Sequence, residues 1–246
     1  MIEFSVLIPF HNEEKNLKPL LAGLKKALLA LRPGLRWEVL FIDDASTDSG
    51  FDKATTLLVG EKNFYLYRLK KRGGQTEAFR LAFRKARGRY FLRMDADLQD
   101  NPEYIPRFVE KMREGYDMIM GVRINRKHNA VLLGLTKAYD TVVSHCFSTG
   151  LATNSGSFIA FRAEFLKEVH MKKNDHRYLP LIAIRRGARK NISLPIPHRR
   201  RVHGVTKYPT LKKVCFGFFE MILFYRRLLA GYYDSPISNL RMRGPR

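Results

Sequence analysis

Strand-length apolar runs that alternate with helix-length amphipathic stretches constrain this chain more than any other feature of its 246 residues. The run at 4–8 is followed by 15–31, where Leu17, Leu20, Leu21, Leu24, Leu28 and Leu31 recur at helical spacing. The run at 39–42 precedes a helical stretch near 51–59, 64–67 precedes 75–87, and 90–94 precedes 102–113. A fifth strand is expected at 118–122. This rhythm predicts an α/β fold with a mainly parallel sheet and helices on both faces. From about residue 150 the pattern loosens, leaving a short strand at 158–161 and a basic loop at 198–207. The expected organisation is one domain over 1–209, then an amphipathic helix and tail over 210–246.

Ligands of such sheets bind beyond the carboxyl ends of the strands, and three polar clusters fall there. Strand four runs into Asp95-Ala96-Asp97-Leu98-Gln99. Two carboxylates one residue apart suit Mg²⁺ or Mn²⁺ carrying a diphosphate, since hard cations take oxygen ligands and Mg²⁺ is commonly held by one or two carboxylates plus phosphates. Acidic pairs also cap helices. Here Asn101-Pro102-Glu103 reads as the opening of the next helix, so Asp100 or Asn101 takes that duty and leaves Asp95 and Asp97 without it. Strand one ends in Pro9-Phe10-His11-Asn12-Glu13-Glu14, which lacks the glycines of a dinucleotide fingerprint and argues against a dehydrogenase. Glu13 could accept from ribose hydroxyls or simply favour the helix dipole. After strand two, Asp43-Asp44-Ala45-Ser46-Thr47-Asp48 could bind a nucleobase or ribose, with Ser46 or Asp48 capping the following helix.

The formal net charge of +22 calls for polyanionic partners: nucleic acid, anionic lipid or a diphosphate. Lys70-Lys71-Arg72-Gly73-Gly74-Gln75 suits an anion but lacks the Lys-Ser/Thr ending of a P-loop. Arg123, with Asn125 and Arg126, forms a second cationic loop whose guanidinium can grip phosphate bidentately. The basic segment 198–208 could bind nucleic acid by charge alone, yet no nucleic-acid module accompanies it, and a clamp over a diphosphate is the better reading. Cys146 and Cys215 have no metal-ligand spacing, which points to a reducing, cytoplasmic setting. Neither a signal peptide nor an ordinary membrane span is expected. The stretch 210–233 is helical and aromatic, with Phe216, Phe218, Phe219, Phe224, Tyr225, Tyr232 and Tyr233 beside Lys212, Lys213, Arg226 and Arg227. It suits an anionic membrane interface. The alternative is a helix packed on the core, a membrane subunit or a second copy of the chain.

Taken in order, these motifs, with Gly121-Val122-Arg123 and the segment from Arg201 to Tyr208, resemble family 2 glycosyltransferases of the polyprenyl-phosphate sugar synthase type, the branch that includes dolichol-phosphate mannose synthase. The resemblance covers roughly residues 3–210. It implies a GT-A-like three-layer sandwich, a nucleotide-sugar donor, a divalent cation (Mg²⁺ or Mn²⁺) and a polyprenyl-phosphate acceptor. By resemblance, Pro9, His11, Glu13, Ile42 and Asp44 hold the nucleoside, beside Ala96. Asp95, Asp97 and Gln99 hold the metal, Arg201 and Lys207 the diphosphate, and Arg123 and Lys137 the acceptor phosphate. His11 stands where the family usually has Tyr. A lipid phosphate is already anionic, so the expected chemistry is a single displacement with inversion and no strong base. Two rival readings exist. A transferase with a saccharide acceptor would need a base, for which Asp175 or His176 could serve. A polyanion- or nucleic-acid-binding protein would explain the charge but not the ordered acidic motifs.

Overall fold

The computed structural model describes residues 1–124, 141, 156–197 and 210–234, with side chains in the last segment from Phe219 onward. Its sheet contains β1 (Phe4–Phe10), β2 (Trp37–Asp43), β3 (Phe64–Arg68), β4 (Tyr90–Arg93), β5 (Met118–Ile124), β6 (Ile159–Arg162) and β7 (Asn191–Pro197). Their spatial order is β3-β2-β1-β4-β6-β5-β7. All neighbouring pairs are parallel except those of β6, which runs antiparallel to both β4 and β5. The expected α/β class and mainly parallel sheet are therefore observed.

Helices α1 (Glu14–Leu29), α2 (Gly50–Leu57), α3 (Gln75–Lys85), α4 (Ile105–Arg113), α5 (Leu179–Arg185) and α6 (Thr210–Leu229) complete the described fold. A strand covered on both faces must be apolar on both, and β1 is buried at all seven positions. Val6, Ile8 and Phe10 share one core with Leu17, Leu20 and Leu24 of α1 and with Phe108 of α4. Leu7 points the other way, into a second core with Phe79 and Phe83 of α3, Ile182 of α5 and Phe224 of α6. Three layers result.

Strand order positions the site. From β1 the chain winds outward through β2 and β3, then returns to place β4 on the other side of β1. The crevice at such a reversal, beyond the carboxyl ends of the two strands, is where open α/β sheets bind ligands. Each of the loops after β1, β2 and β4 carries a non-glycine residue at positive φ: Asn12 (58°), Ala45 (51°) and Leu98 (64°). Asn adopts this region readily; Ala and Leu do so at a cost that the surrounding contacts must offset.

Two elements differ from expectation. The strand at Asn191–Pro197 carries Pro195 and Pro197, yet it pairs with β5 at the edge of the sheet, where a missing N–H is tolerated. The stretch expected to be one helix over 102–113 opens as a 3-10 turn, Pro102–Tyr104, before α4 begins.

Candidate active site

Side chains of the loops after β1 and β2 hold one another in place. Asn12 Oδ1 accepts from the backbone of Thr47 at 2.8 Å, while Asn12 N donates to Ser46 Oγ at 3.0 Å. Asp48 accepts from Glu14 N at 3.2 Å and Gly50 N at 2.9 Å, so it serves the starts of both α1 and α2. Asp43 accepts from Ser46 N and pairs with Arg68 at 3.0 Å. Asp44 instead takes the N–H groups of Gly73 (2.7 Å) and Gly74 (2.9 Å), fixing the glycine loop beside the crevice. Gly74, at φ +78°, is the residue that turns the chain into α3.

The crevice is a cleft of about 240 Å³. Pro9 and Phe10 line it from the end of β1, His11 and Glu13 from the loop that follows, and Asp44 from the loop after β2. Arg72, Gly74 and Gln75 close one wall, and Asp95, Ala96 and Asp97 the other. Seven residues expected in the site thus meet there. His11 Nδ1 donates to the Asp44 carbonyl at 2.9 Å, and Glu13 accepts from the Asn16 side chain at 2.5 Å.

The acidic loop is tightly packed. Asp97 is 5% exposed and accepts from Gln99 N at 3.1 Å, so it has a turn-closing duty that its neighbours in sequence did not reveal. Gln75 Nε2 lies 3.4 Å from Asp95 Oδ1. Burial pushes the Asp95 carboxyl up to about 6, against the pull of Arg93, and the nearby Asp100 and Asp97 add to the rise. A carboxyl raised this way is one that a cation would relieve. Among the described residues no group of three or more His, Cys, Asp or Glu is disposed to hold a metal. The two aspartates would therefore need oxygens from a ligand to complete a shell, which is the usual arrangement for Mg²⁺.

Asn101 caps the following turn, accepting from Glu103 N at 3.2 Å. Asp100 does something else. It is fully buried, accepts from Asp95 N at 3.2 Å and pairs with Arg123 at 2.7 Å, while Ser157 Oγ donates to it at 2.9 Å. Arg123 also donates to Gln99 Oε1 at 3.0 Å and Ser157 Oγ at 2.7 Å. Asp100, Ser157 and Arg123 do not line the cleft; the first two hold Arg123 beside the acidic loop, a tie that sequence reasoning missed. An acid one residue before Asn-Pro looks like a second cap, and only its burial tells otherwise.

Not every expected residue reaches the cleft. Ile42 has no exposed surface and belongs to the core shared with α3. Gln99 is turned toward Arg123. Lys137, Arg201 and Lys207, with Asn125, Arg126 and the segment 198–208, lie outside the described residues. The two bases considered for a saccharide acceptor do not line the cleft either. Asp175 is fully buried and engaged by Arg227 (2.6 Å) and Tyr233 (2.7 Å). Burial holds the His176 imidazole down at about 3, with Arg93 and Arg177 adding to the effect.

Comparison with known proteins agrees with this geometry. The model of the family described as glycosyl transferase family 2 matches residues 5–170. Undecaprenyl-phosphate 4-deoxy-4-formamido-L-arabinose transferase of Pectobacterium carotovorum is 31% identical over 212 residues, 85% of this chain and 64% of that protein. Dodecaprenyl-phosphate galacturonate synthase of Rhizobium johnstonii is 30% identical over 212 residues, 84% of this chain and 62% of that protein. The chain thus spans just under two thirds of the length of these relatives. Glucosyl-3-phosphoglycerate synthase from Mycobacterium tuberculosis, crystallised with Mn²⁺, uridine diphosphate and phosphoglyceric acid, superposes with a TM-score of 0.64 at 16% identity, over 93% of this chain and 76% of that one. That likeness is one of fold, and the fold is GT-A-like. With a match that runs through all three strand-end loops, the chain belongs to glycosyl transferase family 2.

Proposed function

We propose that this chain moves a hexose from a nucleotide-sugar donor to a polyprenyl phosphate at a membrane surface, with inversion at the anomeric carbon. The observation that carries the reading is the convergence of Asp95 and Asp97 with Pro9, His11, Glu13 and Asp44 on one cleft at the reversal of the sheet. The names of the curated relatives support the acceptor class.

In this reading Pro9, His11, Glu13 and Asp44 face the nucleoside, and Ala96 lets the donor approach the acidic loop. Asp95 and Asp97 would hold a divalent cation together with the donor diphosphate; when bound, it neutralises charge on the leaving group. Arg201 and Lys207 would meet the same diphosphate. Arg123 and Lys137 would receive the acceptor phosphate, for which the Arg123 guanidinium must share its donors with Asp100. An acceptor oxygen then bonds to the anomeric carbon as the carbon–oxygen bond to the diphosphate breaks, its electron pair leaving with the diphosphate. The acceptor is already an anion, so the protein contributes position and electrostatics rather than a base. Asp175 and His176 stand outside the cleft, Asp175 held by Arg227 and His176 beside Thr76, which favours this over a saccharide acceptor.

Helix α6 suits a peripheral contact with the membrane. Among the described residues no helix is long and apolar enough to cross one. Phe219 is 59% exposed, and Ile222, Leu223 and Leu229 stand in water beside the exposed Arg226. Apolar groups flanked by cations suit the headgroup boundary of an anionic bilayer. Incubating the protein with a panel of nucleotide sugars, Mn²⁺ or Mg²⁺ and short prenyl phosphates tests the whole reading. The expected product is a prenyl-phosphate sugar of inverted configuration. Transfer to saccharides alone would overturn the acceptor assignment.

A further inference from the structure

Residues 174–178 lie between α6 and the residues behind the cleft walls, and they touch both. His176 is 8% exposed. Its Nδ1 lies 2.8 Å from Thr76 Oγ1, and Thr76 directly follows Gln75 of the cleft wall. The N–H of Asn174 donates to that same Oγ1 at 3.0 Å, so the hydroxyl keeps its hydrogen and one lone pair for Nδ1, and either ring tautomer completes the bond. At its other end, the His176 carbonyl accepts from Arg93 at 2.7 Å. Arg93 ends β4, two residues before Asp95, and its guanidinium lies over the Phe79 ring at 4.8 Å. One residue thus grips the roots of both walls of the cleft.

The turn itself is held from behind. Asp175 pairs with Arg227, Arg177 with Glu220 at 2.8 Å, and Tyr178 stacks on Phe224 with ring centres 4.2 Å apart. A backbone at positive φ (Asn174, 69°) is kept in place by these contacts.

We propose that His176 is a positioning residue for the donor cleft: through Nδ1 and its carbonyl it fixes the Gly74–Gln75 wall against the Asp95–Asp97 wall. The inference rests on the donor reading above, and its test separates the two. In Asn the terminal amide stands near the place of Nδ1; in Gln it reaches the place of Nε2. His176→Asn should therefore restore what His176→Ala loses, and His176→Gln should not. Two quantities are measured on the intact protein: affinity for uridine diphosphate with Mn²⁺, and hydrogen exchange at the Gly73 and Gly74 amides. Loss of one buried hydrogen bond should weaken the probe about tenfold in the Ala and Gln variants, with Asn within about twofold of wild type. Exchange at Gly73 and Gly74 should quicken in the same two variants. Equal behaviour of Asn and Gln would overturn the proposal, as would a folded Ala variant with wild-type exchange and affinity. If the Ala variant does not fold, the Asn–Gln contrast decides. Should the wild type bind no probe, the donor reading fails, and the exchange pattern still judges the role of His176.

Discussion

The cleft beyond β1, β2 and β4 and the outer face of α6 depart from ordinary burial in opposite directions. In the cleft Asp44 and Asp97, and behind it Asp100, are carboxylates withdrawn from water. On α6, Phe219, Ile222, Leu223 and Leu229 are apolar side chains left in it. Buried carboxylates persist only with partners: backbone N–H groups for Asp44, Arg123 and Ser157 for Asp100. Exposed apolar clusters persist where something else covers them. In the proposed function the two regions would meet different occupants, a charged donor and an apolar surface; the turn 174–178 packs on α6 and hydrogen-bonds residues behind the cleft walls.

Substitutions separate the two regions. The largest effect belongs to the acidic loop: Asp95→Ala should cut the rate of transfer by roughly 10³-fold while leaving vesicle binding intact, because charge on the leaving group loses its counter-ion. Initial rates and co-sedimentation on the same preparation check this. Next, Asp100→Ala should lower stability by about 3 kcal/mol in denaturant titration, since it leaves Arg123 without its buried partner. Changing Phe219 and Ile222 together to Ser should weaken binding to anionic vesicles about tenfold and leave soluble nucleotide binding unchanged. Loss of both functions would merge the regions that the comparison keeps apart. Phe224 is a poor choice for that test despite its place in the aromatic stretch, because it is fully buried against Tyr178.

Smallest over any single pH unit is a slope of stability with pH. His176 stays neutral in the fold with a pKa of about 3, below its ordinary 6.5. The unfolded chain binds a proton that the native state refuses, so this contribution to stability is present above pH 6.5 and is lost as pH falls toward 3. The loss should approach about 1.4 kcal/mol per pH unit across that window. His176→Asn should remove that slope, as denaturation at several pH values would show.

Much of this was legible in the sequence. Apolar runs and leucine spacing marked β1 to β5 and α1 to α4, because parallel strands buried on both faces read as continuous apolar segments. The acidic pair, the first turn and Asp44 were legible as a set, since they all close strands. Burial was not. Nothing in Asn-Asp-His-Arg-Tyr distinguishes a base in a cleft from a buried tie, and Asp100 reads as a cap until Arg123 is seen beside it. The stretch Leu179–Arg185 is too short and too uniformly apolar for a helical period to show. On α6 the aromatic content was plain, but which rings turn inward depends on the core they meet.

The claim that the cleft holds a nucleotide diphosphate through a cation at Asp95 and Asp97 is tested most directly by calorimetric titration of uridine diphosphate into the intact protein, with Mn²⁺ and then with chelator. The account predicts binding that requires the cation and disappears in Asp97→Ala. Undiminished binding in chelator, or full cation-dependent binding by Asp97→Ala, would contradict it.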